Sequence, residues 1–144
     1  SWGADEAIDY KTNNFADKVN ELTDGRGADV VFDTIGPDVF RQSIPCTAHY
    51  GDIVTILDPG TDVVFKEARN RNLRISFTLM LTPILRNLPE ARAHHGDILD
   101  QCAQWIDEGQ LQINVSQRLP LEQAADAHKI IESGHSTGKI VLLT

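Results

Sequence analysis

The sequence predicts an α/β fold, a partial doubly wound parallel sheet followed by a strand-helix-strand tail. Three observations carry this expectation. Strand, helix, strand, helix, strand patterns succeed one another within about 55 residues, the rhythm of right-handed parallel crossovers. The runs Val30-Val31-Phe32 and Ile53-Val54 lack polar alternation, the mark of strands covered on both faces. No strand leading into a GxGxxG loop precedes them, so the sheet is expected to lack its first βαβ unit.

The first strand candidate is Glu6-Ala7-Ile8-Asp9-Tyr10. Thr12-Asn13-Asn14 then forms a capping cluster for a helix with Phe15, Val19 and Leu22 on one face, ended by Asp24-Gly25-Arg26-Gly27. Ala28 to Asp33 is a strand, and Pro37 suits a first helical position. The helix from Pro37 presents Val39, Phe40, Ile44 and Thr47 at helical spacing, with Pro45 kinking it or ending its regular part. Gly51 releases a second strand, Asp52 to Leu57, stopped by Asp58-Pro59-Gly60.

Asn72 to Thr78 alternates polar and apolar residues like a strand with one solvated or partner-facing side, and Thr82-Pro83 breaks it. A long helix is expected from Pro89 to Glu108, with Ile98, Leu99, Cys102, Trp105 and Ile106 in one stripe and Gly109 closing it. The last third reads as a strand from Leu111 to Arg118, a helix from Leu121 to Ser133 and a strand from Lys139 to Leu143. A boundary is expected near Ile113, dividing 1–112 from 113–144.

At 144 residues and 41% hydrophobic, the chain suits one ordinary domain. A formal net charge of -8 repels nucleic acid and anionic lipid, so neither is an expected partner. The longest apolar stretches, such as Ile140 to Leu143, fall far short of the roughly 20 residues that span a bilayer, and no basic-then-apolar leader opens the sequence. Cys46 and Cys102 sit in apolar helical patterns that suit reduced, buried thiols, which points to the cytoplasm. Ser1-Trp2-Gly3-Ala4 has no initiator Met and reads as the last turn of a helix closed by Gly3, so a segment before it is expected to have been removed.

Chemistry-bearing patterns are sparse. The five histidines show no HxxxH spacing, and no CxxC occurs, so no metal is expected in this chain. His128 is expected on the inner side of its helix with one ring nitrogen satisfied. The serines lack GxSxG surroundings, and no catalytic residue is identified. Asp33 is expected to be structural, because the ribose-binding carboxylate of a dinucleotide site follows a glycine loop by about 20 residues. Lys139 either reaches a phosphate or simply faces water.

The ordered motifs carry a resemblance that covers essentially the whole chain. Gly3-Ala4-Asp5 with Ile8-Asp9-Tyr10 comes first, then Gly25-Arg26-Gly27-Ala28-Asp29-Val30-Val31-Phe32-Asp33-Thr34-Ile35-Gly36. Pro120-Leu121-Glu122-Gln123-Ala124, Ala127-His128 and Gly138-Lys139-Ile140-Val141 follow. Together they resemble the medium-chain dehydrogenase/reductases, most closely the NADPH:quinone oxidoreductase and zinc-type alcohol dehydrogenase-like branch.

The resemblance implies a parent of roughly twice this length, with a catalytic domain followed by a Rossmann-like nucleotide domain whose glycine loop precedes Ser1. Residues 1–112 would be the later portion of that domain, and 113–144 would return to the catalytic domain. Tyr10 matches a position near the adenosine end and its 2′-phosphate, although a Tyr there also suits plain half-burial with its hydroxyl in water. Thr34 matches a residue lining the adenosine side. Ile56, Leu57 and Asp58 match the segment passing the nicotinamide, and Thr78, Leu79 and Met80 match the one touching its carboxamide. Many relatives have a small or glycine-containing turn where this chain has Leu57-Asp58-Pro59.

The implied cofactor is NADP(H) in preference to NAD(H), and the implied substrate of the parent is a small carbonyl, enone or quinone. The implied assembly is a homodimer, bordered by the strand Leu73 to Phe77. The isolated chain is expected to be inactive. Two alternatives stay open: a non-catalytic dimerisation or nucleotide-binding module, and a free-standing α/β domain for another nucleotide or an acyl carrier ligand.

Overall fold

In the computed structural model, which describes residues 3–134 and 136–144, the first regular element is helix α1 (Phe15–Leu22). The turn expected over Ser1 and Trp2 lies outside the described residues, as does His135. Asn14 caps α1 as its position predicts, its side-chain oxygen accepting from the amides of Ala16 at 2.9 Å and Asp17 at 3.2 Å. The strand expected at Glu6 to Tyr10 does not form. Asp9 instead folds the chain into a turn, its carbonyl accepting from Thr12 and Asn13 and its side chain from Lys11, and no described strand lies alongside to complete a ladder.

The chain divides into two compact units, Ser1–Leu85 and Arg86–Thr144. In the first, β1 (Ala28–Asp33), β2 (Thr47–Thr55) and β3 (Arg74–Phe77) form a parallel sheet in the order β1-β2-β3. Helix α2 (Pro37–Ser43) joins β1 to β2, with Pro45 converting its end into a 3-10 turn over Ile44–Cys46. Helix α3 (Lys66–Asn70) precedes β3. Thr82-Pro83 does not merely break the chain but opens the short helix α4 (Thr82–Leu85), with proline in its first turn.

β2 starts earlier and ends earlier than the sequence suggests. It pairs at Ala28↔Thr47, shifts register, and resumes at Val30↔Asp52, so Gly51 lies inside the strand beside an irregularity. Tyr50 takes a positive φ of 62° there, and its amide donates to the Arg71 carbonyl at 2.8 Å.

Register aligns Val31, Ile53 and Ile75 on one face, where Phe40, Ile44, Ile53 and Ala68 form the core. The opposite face is not covered as expected: Val30 and Phe32 are each 63% exposed. Both α2, through Phe40, and α3, through Ala68, pack in the core on the Ile53 side of the sheet, and no other described element of this unit covers the reverse. The Asp52–Arg74 ion pair lies across that bare face.

The second unit holds helix α5 (Pro89–Asp107), strands β4 (Val115–Pro120) and β5 (Lys139–Leu143), and helix α6 (Ala124–Glu132). β4 and β5 are parallel. α5 contains no fully buried residue, and its stripe at Ile98, Leu99, Trp105 and Ile106 is exposed. His128 is also exposed rather than packed inward, while Ala127 is the buried residue of α6. No helix among the described residues is long and apolar enough to cross a membrane.

Candidate functional site

Parallel strands end together, so the loops leaving β1, β2 and β3 collect at one sheet edge, the place where open α/β sheets bind ligands. Register puts Asp33, Thr55 and Phe77 side by side as the last paired residues. The ladder continues just past them, with the Ile56 amide donating to the Asp33 carbonyl at 3.2 Å and the Thr78 amide to the Thr55 carbonyl at 2.9 Å. Everything beyond is loop: Thr34 to Gly36, Ile56 to Gly60, and Thr78 to Leu81.

Among the cavities of this unit are two of about 480 Å³ each. One is lined by Ile8, Tyr10, Asn13, Phe15, Ile35, Val39 and Gln42, a set without a formal charge. The other lies between the ends of β2 and β3 and is lined by Thr55 to Gly60 with Phe65, Phe77, Thr78 and Leu79. Its one charged group is Asp58, whose carboxylate accepts from the Gly60 amide at 2.8 Å and so tightens the turn at Pro59.

The residues singled out from the sequence divide between these places. Ile56, Leu57, Asp58, Thr78 and Leu79 all line the second cavity. Met80 follows them in the same loop, 73% exposed and outside that lining. Tyr10 lines the first cavity, and Thr34 lines neither, although its neighbour Ile35 lines the first.

The shape of the β1 loop rests on Gly36, whose φ of 112° and ψ of -150° lie in a region essentially confined to glycine. Its carbonyl accepts from the Phe40 amide at 2.9 Å, launching α2. Behind the loops lies a network that sequence reasoning missed in part. Asp33 anchors the loop that follows it, and its partner Thr55 carries no signal until the strands are in register. Asp33 Oδ1 accepts from the amides of Ile35 at 3.0 Å and Gly36 at 3.1 Å, and the Thr55 hydroxyl lies 3.0 Å from Asp33 Oδ2. Phe65 and Phe77 add aromatic walls to the second cavity; of the two only Phe77 has a cue in the sequence, a Phe ending an alternating strand before a loop.

The two linings suit flat, largely uncharged ring systems, with apolar walls, the side chains of Asn13, Gln42 and Thr78, and backbone groups at strand ends. They offer no glycine-rich phosphate cradle. Among the described residues no group of three or more His, Cys, Asp or Glu side chains is placed to hold a metal ion.

Comparison with known proteins gives the family. A 2-haloacrylate reductase of Burkholderia sp is 32% identical over 98% of this chain and 42% of its own length. A quinone oxidoreductase of Pseudomonas aeruginosa is 33% identical over 98% of this chain and 43% of its own. The chain thus spans about two fifths of the length of these curated relatives (42% and 43%). The crystal structure of Escherichia coli quinone oxidoreductase complexed with NADPH superposes with a TM-score of 0.76 at 25% identity, covering 99% of this chain and 44% of that one. Zinc, which the family's description mentions, finds no holder among the described residues, so no metal step is derived for this chain. With its sequence matching the zinc-binding dehydrogenases over residues 2–142, and 99% of its length superposing on a quinone oxidoreductase complexed with NADPH, this chain belongs to that family of medium-chain dehydrogenase/reductases.

Proposed function

We propose that this chain forms the adenosine and nicotinamide flanks of an NADP(H)-preferring oxidoreductase that reduces a carbonyl, enone or quinone. The observation that carries the reading is the gathering of Ile56, Leu57, Asp58, Thr78 and Leu79 around one apolar cavity at the carboxyl edge of a parallel sheet. Tyr10 and Ile35 line the other cavity, which suits an adenine ring. When bound, the nicotinamide supplies the hydride, and the protein's part is orientation and exclusion of water. Leu57 and Leu79 offer a wall for one ring face, and the backbone of Thr78 to Met80 offers polar groups to a carboxamide.

In this reading residues 1–112 belong to the cofactor domain and 113–144 to a tail that returns to a catalytic domain. The chain acts in the cytoplasm as part of a longer protein. It lacks an identified proton donor or nucleophile and a phosphate-gripping loop, so alone it is inactive. The bare apolar surface at Val30 and Phe32 is consistent with that dependence.

The test is NADPH titration of the isotopically labelled chain. Expected are weak amide shifts confined to Tyr10, Thr34, Ile56 to Asp58 and Thr78 to Met80, without NADPH oxidation when quinone or aldehyde is added. Shifts absent from both loops, or turnover by this chain, would overturn the reading. A second reading, association of two copies, is favoured by β3, a sheet edge with exposed Phe77. Light scattering that finds only monomer at high concentration would remove it.

A further inference from the structure

The two loops assigned above to opposite ends of a cofactor are tied to a single buried carboxyl group. Asp33 is 2% exposed and Thr55 1% exposed, and they stand opposite each other at the last rung of the β1–β2 ladder. Asp33 Oδ1 accepts from the Ile35 and Gly36 amides, which fixes the loop after β1. The Thr55 hydroxyl lies 3.0 Å from both Asp33 Oδ2 and the Leu57 carbonyl, and the Leu57 amide points at that same hydroxyl from 3.3 Å.

A hydroxyl has one proton, so its direction is decided by the stronger acceptor. A hydrogen bond to a carboxylate is roughly twice as strong as one to a neutral carbonyl, which sends the Thr55 proton to Asp33. The lone pairs of Thr55 Oγ1 accept from the Leu57 amide. The alternative would leave Asp33 Oδ2 buried without its donor. The result is one directed relay, in which the Leu57 amide donates to Thr55, Thr55 donates to Asp33, and Asp33 also collects the two amides of the other loop.

We infer that Asp33 and Thr55 are a positioning pair that sets the β1 and β2 loops relative to each other, so that the two cavity walls contributed by Ile35 and Leu57 are held as a unit. This rests on the cofactor reading above for its functional meaning, but the relay itself does not need a ligand to be tested. Neither side chain lines both cavities, and only Thr55 borders one of them. Their effect on a bound cofactor therefore passes through the loops.

The experiment is amide hydrogen exchange on the 144-residue chain with three variants. Thr55→Val keeps the shape and removes the relay. The Leu57 amide should then exchange about tenfold faster, and the Ile35 and Gly36 amides about threefold faster, although their own acceptor atom is untouched. Thr55→Ser should restore all three rates. Asp33→Asn, the second probe, keeps an acceptor for Ile35 and Gly36 but offers Thr55 an amide donor, which turns the hydroxyl toward the Leu57 carbonyl. Thr55 Oγ1 has two lone pairs and so still accepts from the Leu57 amide, and the Ile35, Gly36 and Leu57 amides should all exchange more slowly than in Thr55→Val.

If Thr55→Val leaves Ile35 and Gly36 unchanged, or Asp33→Asn frees the three amides as much as Thr55→Val does, the relay is wrong. NADPH titration separates the two ideas. A wild-type chain that shows no NADPH shifts overturns the cofactor reading, whatever the exchange rates show. A wild-type chain that binds NADPH, with Thr55→Val binding it equally tightly, overturns the positioning role. The expected outcome is binding weakened about fivefold in Thr55→Val and recovered in Thr55→Ser.

Discussion

Gly27→Ala should be among the most damaging single-methyl additions to the Ser1–Leu85 unit. Gly27 sits immediately before β1 with φ of 85°, and a Cβ built on it would lie 2.7 Å from the Cys46 carbonyl oxygen and 2.9 Å from two further backbone atoms, Ala48 N and Thr47 C. These neighbours are the main chain at the start of β2, so no side chain can rotate away. The left-handed backbone costs about 1–2 kcal/mol for any L side chain. Overpacking against a fixed backbone adds about 1–3 kcal/mol. The sum, about 2–5 kcal/mol, is a large share of the roughly 5–15 kcal/mol that holds an ordinary domain together. Gly36→Ala is the matched comparison. Its φ of 112° is at least as unfavourable, but its Cβ would meet only Leu57 side-chain carbons at 3.5 and 3.7 Å, ordinary contact distances. It should therefore cost only the backbone strain, about 1–3 kcal/mol. Urea unfolding followed by far-ultraviolet circular dichroism reads both losses from the shift in midpoint at constant slope. Equal losses, or a smaller one at Gly27, would refute the claim that close approach to the β2 backbone sets the penalty.

Phe40, fully buried in the core, should cost about 3–5 kcal/mol on truncation to Ala, measured in the same unfolding experiment. Asn14→Ala, which removes the acceptor for two α1 amides, should cost about 1 kcal/mol and raise the exchange rates of the Ala16 and Asp17 amides first. The hydrogen bond from Arg74 holds the Asp52 carboxyl below its ordinary range, as that from Arg26 does for Asp29. A depressed carboxyl contributes stability that is complete above the unfolded value near pH 4 and is lost as pH falls through the lower folded value. Acid titration in low salt should thus show a small loss below about pH 4 that Arg74→Gln reduces, and an unchanged profile in that variant would count against the pair. Burial raises the Cys46 thiol above its ordinary value, so a thiolate-selective reagent at pH 8 should label Cys102 well before Cys46 in the folded chain and both together in urea.

The signals that were readable in advance are those that act over a few residues. Asn14 caps its helix, Pro37 opens one, Pro45 converts one into a 3-10 turn, and Pro89 starts the long α5. Each depends on local donors, acceptors or ring geometry, so a short stretch of sequence contains the whole cause. Strand limits are different. Glu6 to Tyr10 has strand composition, yet the Asp9 side chain and carbonyl satisfy nearby groups of the same segment, and a strand without a partner gains nothing. The early start of β2 depends on the register shift opposite Ala28 to Val30, which no pattern within β2 records. At the candidate site, the residues around Leu57 and Thr78 carry no local signal beyond the resemblance, because only strand pairing joins their loops in one cavity. Thr55 was out of reach altogether. It meets Asp33 from 22 positions away, and only pairing of the two strands brings them together.

Periodicity also reports what a strand's surface is made of, which differs from what lies against it. Val30-Val31-Phe32 is apolar on both faces, and the sheet register sends Val31 into the core with Ile53 and Ile75 while Val30 and Phe32 face away. An apolar residue on a bare sheet face loses the roughly 1.5–3 kcal/mol that burial would contribute. Such a pair therefore gains nothing within the Ser1–Leu85 unit, and a polar alternation there would leave its core untouched. The double variant Val30→Thr, Phe32→Thr tests this directly. Both residues keep strand-favouring side chains, so unfolding of the unit should move by less than about 0.5 kcal/mol while solubility rises. A loss of several kcal/mol would mean that this face is buried in solution, against the exposure that the structure assigns to it.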